Sequence, residues 1–491
     1  MNRNLTLPIV AGLFLAAACP VFASVPDQTS ATASAGDGDK GKDKAINLGN
    51  IQVEGRAIPS LATPSIKDAR ERLARVPGGT TLIDAEAFRD SPVRNLEDVL
   101  TFAPGVFVQS RFGGSETRTS IRGSGISLTY SARGIRFLRD GLPLNFADGF
   151  FNPELVQPLT TRYVEVYRGA NALQYGAAAL GGAINFVTET GYTAPPARVR
   201  IGFGSNGYIH PQASFAKTFD TGWDVFGSLS ALHQDGLRPQ SEEDQRQAYA
   251  NIGYRHSDNA ESRLHVNIQH SRLELPGSLT KAQIAADPTQ ANPTYTAAGA
   301  FRHIDVRRFA FQQSVRFDRR DQLDMGVFYQ DFSLHHPLPF FVLEEHRVGS
   351  GVSLRQTLHG RLAAYVNRLI VGGRLARGTD DFKQFAPAGH ARKGPLRLAG
   401  EKTALAGEVF AEDQLHLTEA VTLVAGAQFA YASRKSNISF GHDPDTNQSY
   451  TGFSPKIGAT WQATPAIQLY GNLSRSFEPP TFNQLRNPVA G

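Results

Sequence analysis

The chain has 491 residues, with 50 basic against 45 acidic side chains, a net charge of +5 and a single cysteine. So mild a charge, without interleaved aromatic and basic residues, leaves no footprint for nucleic acid, and one cysteine excludes an intrachain disulfide framework. No stretch after residue 23 approaches the roughly 20 apolar residues of a spanning helix, but the mean hydropathy of −0.28 still allows a membrane barrel, in which only alternate residues meet lipid.

Residues 1–23 read as a signal peptide, with Arg3 at the tip, an apolar run over 7–18 and Val21-Phe22-Ala23 before the cleavage point. A rival reading makes Cys19 a lipoprotein acylation site, although Ala16 stands where a larger aliphatic residue is usual. Residues 24–45 carry almost no large apolar side chain and form a flexible leader. Residues 46–55 break this with alternating aliphatics at Ile46, Leu48, Ile51 and Val53. Such a segment can add to the edge of a partner's sheet, or it can be the first strand of the domain that follows.

Residues 56–195 carry mixed α and β signals. A helix is expected over 95–102, stopped by Pro104-Gly105. Strands are expected over 106–109 and 119–122, and 135–139 should pair with 142–144 through a hairpin turn at Asp140-Gly141. From Arg198 to Gly491 the chain becomes long segments that alternate apolar or small with polar residues. Short turns at 219–222, 257–261, 318–321, 359–360, 418–419 and 464–465 alternate with longer connections at 274–303, 335–346, 378–400 and 436–449. That sorting, with roughly thirteen strands, is the asymmetry of an outer-membrane barrel.

Arg122-Gly123, Asp140-Gly141-Leu142-Pro143-Leu144-Asn145, Val164-Glu165-Val166-Tyr167-Arg168-Gly169 and Tyr175-Gly176 through Asn185-Phe186-Val187-Thr188 occur in this order. Together they resemble the plug of a TonB-dependent outer-membrane receptor, and Ala170 departs from the proline that many relatives carry. The resemblance implies an α+β plug inside a transmembrane antiparallel β-barrel of about 22 strands, of which about nine would lie beyond this sequence. It places the TonB box at Ile51, Gln52 and Val53. It also implies TonB, with ExbB and ExbD, as periplasmic partners, outer-membrane lipid around a monomeric barrel, and import of a scarce ligand driven by the inner-membrane proton gradient. Asn185 to Thr188 with Arg133-Gly134 and Arg136 is similar to the ferric-citrate branch.

The glycines at 176, 181 and 182 suit close packing or positive φ; without the lysine and hydroxyl of a phosphate loop they do not suggest nucleotide binding. Arg122, Glu165 and Arg168 are expected as ion pairs that seat the plug. Ligand contacts are expected on the outward plug loops 111–118, 124–133 and 145–152, above all at Arg111, Arg118, Tyr130 and Arg133. Residues 111–140 hold six arginines against Glu116 and Asp140, so a positive mouth and an anionic ferric chelate, either a siderophore or ferric citrate, are expected. Haem, cobalamin or another small cofactor is the alternative. His303, His335, His336, His390 and His442 fall in expected outer loops, where a histidine pair suits haem iron but solvated residues are the plainer reading. No catalytic residue, metal ligand or cofactor is assigned: no Ser/His grouping supports a barrel enzyme, and a lumen-filling domain argues against a passive porin.

Overall fold

The computed structural model describes residues 60–111, 114–126, 133–176, 179–318 and 320–486. The first part is a mixed domain. Its helices are α1 (Ile66–Ala74), α2 (Glu86–Arg89) and α3 (Leu96–Leu100). Ser65 caps α1 by accepting the Asp68 N–H at 3.1 Å, and Asn95 with Asp98 forms a capping box at α3. Each satisfies N-terminal amides that the helix itself leaves orphaned.

The strands are β1 (Thr80–Asp84), β2 (Val106–Ser110), β3 (Thr117–Ile121), β4 (Ile135–Arg139), β5 (Leu142–Pro143), β6 (Thr161–Arg168) and β7 (Gly182–Thr188). β2 and β3 form a hairpin, while the others make a sheet in the order β1-β6-β7-β4-β5 with β4 and β7 parallel. β7 is buried throughout and therefore reads as a run of small and apolar residues with only Asn185 and Thr188 polar. The Asp-Gly turn has positive φ at both Asp140 (51°) and Gly141 (81°), as a two-residue hairpin of primed type requires. Asp140 then accepts from Thr188 N at 2.8 Å and Thr188 Oγ1 at 2.9 Å, which ties the turn to the end of β7.

Two glycines act as the sequence suggests. Gly182 has φ +131°, and a Cβ there would collide with the Tyr167 carbonyl. Gly176 has φ +67° and lies so close to the surrounding wall that a Cβ would come within 2.8 Å of Glu408 Oε1.

The second part is a single antiparallel sheet of thirteen strands, matching the number expected. They are β8 (Ala197–Phe203), β9 (Ile209–Thr218), β10 (Trp223–Gln234), β11 (Glu243–Ser257), β12 (Ala260–Glu274), β13 (Phe301–Arg316) and β14 (Gln322–Pro337), followed by β15 (Val342–Leu362), β16 (Tyr365–Pro387), β17 (Lys393–His416), β18 (Val421–Phe440), β19 (Thr446–Thr464) and β20 (Ile467–Ser474). Each pairs with its neighbours in sequence, and β8 and β20, at the two ends of the order, are not paired with each other. On β12 the inward positions Glu261, Arg263, His265, Asn267, Gln269 and Ser271 are buried, whereas Leu264 and Ile268 are exposed outward. Phe309, Phe311, Val327, Tyr329, Leu354, Leu375, Val409 and Phe429 continue the exposed apolar belt. No helix among the described residues is long and apolar enough to cross a membrane; the strands carry the lipid-facing surface.

Three of the four long connections are shorter than expected. Strands β14 to β19 run on past the belt and close as hairpins over 338–341, 388–392 and 441–445, and only 275–300 is a long loop, containing α4 (Lys281–Ala286) and α5 (Pro293–Ala298). Sequence alternation fades there because charged, glycine and proline residues interrupt the period-two apolar signal. The same effect misplaced one short turn: β15 continues through 359–360 and turns at Ala363-Ala364. His303, His335 and His336 consequently lie in β13 and β14 rather than in loops.

The plug is seated mainly by polar contacts. Ser115 N donates to Glu243 at 3.0 Å, Ser60 Oγ to Glu261 at 2.7 Å and Gln428 to the Gly176 carbonyl at 2.7 Å. Arg139 donates to Asn267 at 2.7 Å and Arg308 to the Pro143 carbonyl at 2.8 Å. Among the described residues three apolar regions cross the interface: Phe146 and Phe150 of the plug meet Phe332 of β14, beside Ile304, Val306 and Leu334, Leu142 and Ala147 cluster with Ala310, Phe328 and Ala376, and Ala170 and Leu173 cluster with Ile370 and Phe410.

Candidate functional site

The plug loop 145–152 is held rigidly at the end of the barrel that carries the longer connections. Asn145 Oδ1 accepts from Phe137 N at 2.7 Å, while its amide donates to the Ile135 and Gly149 carbonyls. Phe146 N donates to the Phe150 carbonyl at 2.8 Å, and Phe151 stacks on Phe137 with ring centres 3.8 Å apart. A loop so internally bonded presents Asp148 in one place, and Asp148 lies between two cavities, lining both.

The larger cavity, about 400 Å³, is walled by Arg111, Glu116, Arg302, Arg347 and Lys402 together with the rings of Phe150, Tyr295, Phe341, Phe382 and Phe482. That volume and its mixture of apolar wall and few polar groups suit a small molecule. The second cleft is lined by Arg136, Arg374, Arg434, Glu408, Gln428 and Glu478. Burial raises the Glu478 carboxyl, opposed by Arg136 and Arg133.

The expected positive mouth is corrected by these contacts. Arg111 pairs with Glu116, and Arg302 reaches Glu116 at 3.3 Å and Glu154 at 2.8 Å. Arg347 binds Asp148, Glu345 and Asp380 at 3.1, 3.2 and 2.9 Å, and Lys402 binds Asp380 at 2.9 Å. Arg139, counted toward the mouth from sequence, is buried inside the plug–barrel contact. Charge here is compensated because cations taken out of water need partners. Arg374 is satisfied only in part: its Nη2 meets Glu408 at 2.6 Å, but its buried Nε and Nη1 have no hydrogen-bond partner.

The site residues expected from sequence are not gathered in one place. Arg111 lines the larger cavity. Arg118 sits in β3 opposite Gln109, its Nε buried without a partner, and lines neither cavity. Arg133 precedes Gly134 at the rim of the second cleft, its carbonyl accepting from Ser124 Oγ at 3.2 Å and its Nε also buried without a partner. Tyr130, like Ile51, Gln52 and Val53, lies outside the described residues. Arg302, Arg347, Arg374 and Lys402 were missed, and His336 was expected in a loop rather than on a strand. Their signal was present as charged residues at inward-facing positions of strands, a costly placement unless something polar lies inside.

Of the residues expected to seat the plug, Glu165 is instead the polar centre of the plug itself. Fully buried, it pairs with Arg72 of α1 and accepts from Tyr175 Oη at 2.9 Å, Asn185 Nδ2 at 3.0 Å and Tyr167 Oη at 3.2 Å. Arg168 makes no ion pair among the described residues; it donates to the Pro104 carbonyl at 2.6 Å and to Thr81 Oγ1 at 2.7 Å.

A sheet wrapped around a plug is also the fold that comparison with known proteins finds. The vitamin B12 transporter BtuB of Vibrio vulnificus is 28% identical over 151 residues, 30% of this chain and 24% of that protein. The hemin receptor of Yersinia enterocolitica is 30% identical over 110 residues, 22% of this chain and 15% of that protein. The crystal structure of the unliganded ferric citrate transporter FecA superposes with a TM-score of 0.74 at 18% identity, covering 85% of this chain and 65% of that one. The chain thus spans less than two thirds of the proteins it matches. The TonB-dependent receptor plug domain matches residues 72–183, and the TonB-dependent receptor-like β-barrel matches 178–491. The chain therefore belongs to the TonB-dependent receptors, β-barrel proteins of the Gram-negative outer membrane.

Proposed function

We propose that the protein imports a scarce iron chelate bearing carboxylate or similar acceptor groups, a ferric siderophore or ferric citrate, and that it works as a receptor rather than an enzyme. The observation that carries this reading is Arg374, buried at the second cleft with two donor groups left open. Although its Nη2 is paired with Glu408, buried donors left without hydrogen bonds are costly, and an anionic ligand relieves that cost through charge-assisted hydrogen bonds. The ferric citrate transporter's fold supports the same class. In this reading the ligand rests on loop 145–152 between the two cavities, with Arg111 and Arg133 at its margins, and Arg118 of β3 and Tyr130 are proposed as further contacts. TonB, with ExbB and ExbD, then pairs with Ile51, Gln52 and Val53 to open the plug.

A second reading, haem or another flat cofactor, draws on the aromatic wall of the larger cavity and His336, and on the hemin and vitamin B12 relatives. Growth of a deletion strain on single iron sources, complemented by the full-length gene, separates the two. Rescue on ferric citrate or a siderophore supports the first; rescue confined to haem overturns it.

A further inference from the structure

Three metal-ligating side chains meet on the outside of the barrel, away from both cavities. His270 on β12 and Asp305 on β13 are directly opposite in register, and His303 lies two residues from Asp305 on the same face. Alternation along a strand turns all three outward, since their neighbours Gln269, Ser271, Ile304 and Val306 are buried inside. Asp305 offers one oxygen to His270 Nδ1 at 2.8 Å and the other to His303 Nε2 at 3.2 Å. The two imidazoles stand edge to face with centres 4.6 Å apart, and one donor atom from each of the three residues lies within 4.8 Å of the others. Ligand atoms about 2.0 to 2.2 Å from a common ion in tetrahedral geometry are themselves about 3.3 to 3.6 Å apart, so small side-chain rotations suffice to place an ion among them.

We propose that His270, His303 and Asp305 form an exchangeable site for a divalent transition-metal ion on the receptor's outer surface. Two imidazoles and a carboxylate suit Zn²⁺, Ni²⁺ or Cu²⁺ rather than Ca²⁺ or Mg²⁺, and three protein ligands leave a coordination position open to water. The site follows directly on the apolar belt, two residues beyond Ile268 on β12 and four beyond Phe309 on β13. It therefore lies just outside the hydrocarbon, on the side of the longer connections, and in direct reach of solvent. A bound ion fastens β12 to β13 there. Surrounding charge neither fills nor forbids the site. On the same face Arg272 is drawn to Glu274 at 3.7 Å and covers the Phe301 ring, while Arg246 stands opposite His270, Arg307 follows Asp305, Ser333 lies opposite Asp305 and His335 opposite His303.

The test is Zn²⁺ titration calorimetry, with Co²⁺ absorption as a second readout, on the tag-free full-length receptor in detergent. One ion per chain is expected. Affinity should fall at least tenfold in His270→Ala, in His303→Ala and in Asp305→Asn. His233→Ala, in a separate outward group with Asp244 and Glu242, should leave it unchanged. Because all three side chains face away from the plug, a variant that fails to fold is recognised by loss of heat-modifiable migration and replaced by His303→Gln. Absence of binding to the wild type, or wild-type affinity in the folded variants, overturns the proposal.

Discussion

Replacing Arg72 by methionine isolates the contact that fastens α1 to the plug sheet. Arg72 is the basic partner of Glu165, with side chains 13% and 0% exposed respectively. The substitution keeps an apolar stem of similar length but leaves the carboxylate with only the neutral donors of Tyr167, Tyr175 and Asn185. Removing one member of a buried pair costs about 3 to 5 kcal/mol, because the other charge stays buried without compensation. The three remaining hydrogen bonds keep the cost toward the lower end. At about 1.4 kcal/mol per tenfold, the opening equilibrium of α1 should rise by roughly two orders of magnitude or more. Hydrogen exchange on the full-length receptor in detergent reads this directly, as faster exchange of the amides of 69–74 with little change at β12 and β13. A chain pulled from its N-terminal side loads α1 before any strand of the plug, so the same variant should rearrange at lower force while binding ligand normally. Unchanged exchange in α1 would show that the Arg72–Glu165 pair is not what holds the helix, and would refute the argument.

Proline at Ile51 or Val53 removes a backbone donor from a pairing strand, so Ile51→Pro and Val53→Pro should abolish uptake while ligand binding persists; normal transport in both places the TonB box elsewhere. Arg374→Ala should weaken binding of an anionic chelate about tenfold or more, as expected for losing a charge-assisted hydrogen bond, and Arg133→Ala and Arg118→Ala should do so if the adjoining loops close on the ligand; calorimetry with the double variant Arg118→Ala/Arg133→Ala tests the loops apart from the cleft. Burial raises the carboxyls of Asp140 and Glu154 above their ordinary values. Both therefore contribute stability that is full below about pH 4 and is lost as pH rises through their folded values. Glu154→Gln should accordingly flatten the fall in plug thermal stability between pH 4 and 7, and an unaltered slope would remove Glu154 from the account.

The fold was legible because two periodicities are hard to counterfeit. Alternation on β10, β12 and β18 follows from one face meeting lipid and the other a polar plug, so thirteen strands could be counted. The Asp140-Gly141 turn and the Asn95 cap are local chemistry and needed nothing from distant chain. The strand ends beyond the belt were not legible, since charged, glycine and proline residues interrupt the period-two apolar signal between 378 and 400 even though Asp380, Phe382 and Leu398 are buried there. Nor was the site. Arg111 lines the larger cavity but is paired with Glu116, and Arg302 and Arg347 take partners from the plug that lie far away in sequence. Only the seating of the plug against β13 brings Glu154 to Arg302, a separation of 148 residues.

The uneven seating of the plug has a mechanical consequence. Along most of its height the plug touches the wall through hydrogen bonds worth about 0.5 to 1.5 kcal/mol each, and water can replace each of them as it breaks. At the outer rim Phe146 and Phe150 are instead wedged against Phe332, a contact that water cannot replace. Nearer the short turns Leu142 clusters with Phe328, and Leu173 with Ile370 and Phe410. A load applied from the N-terminal side thus meets polar contacts that yield one by one and apolar contacts that hold at several heights, like a panel fixed by pins rather than by a continuous seam.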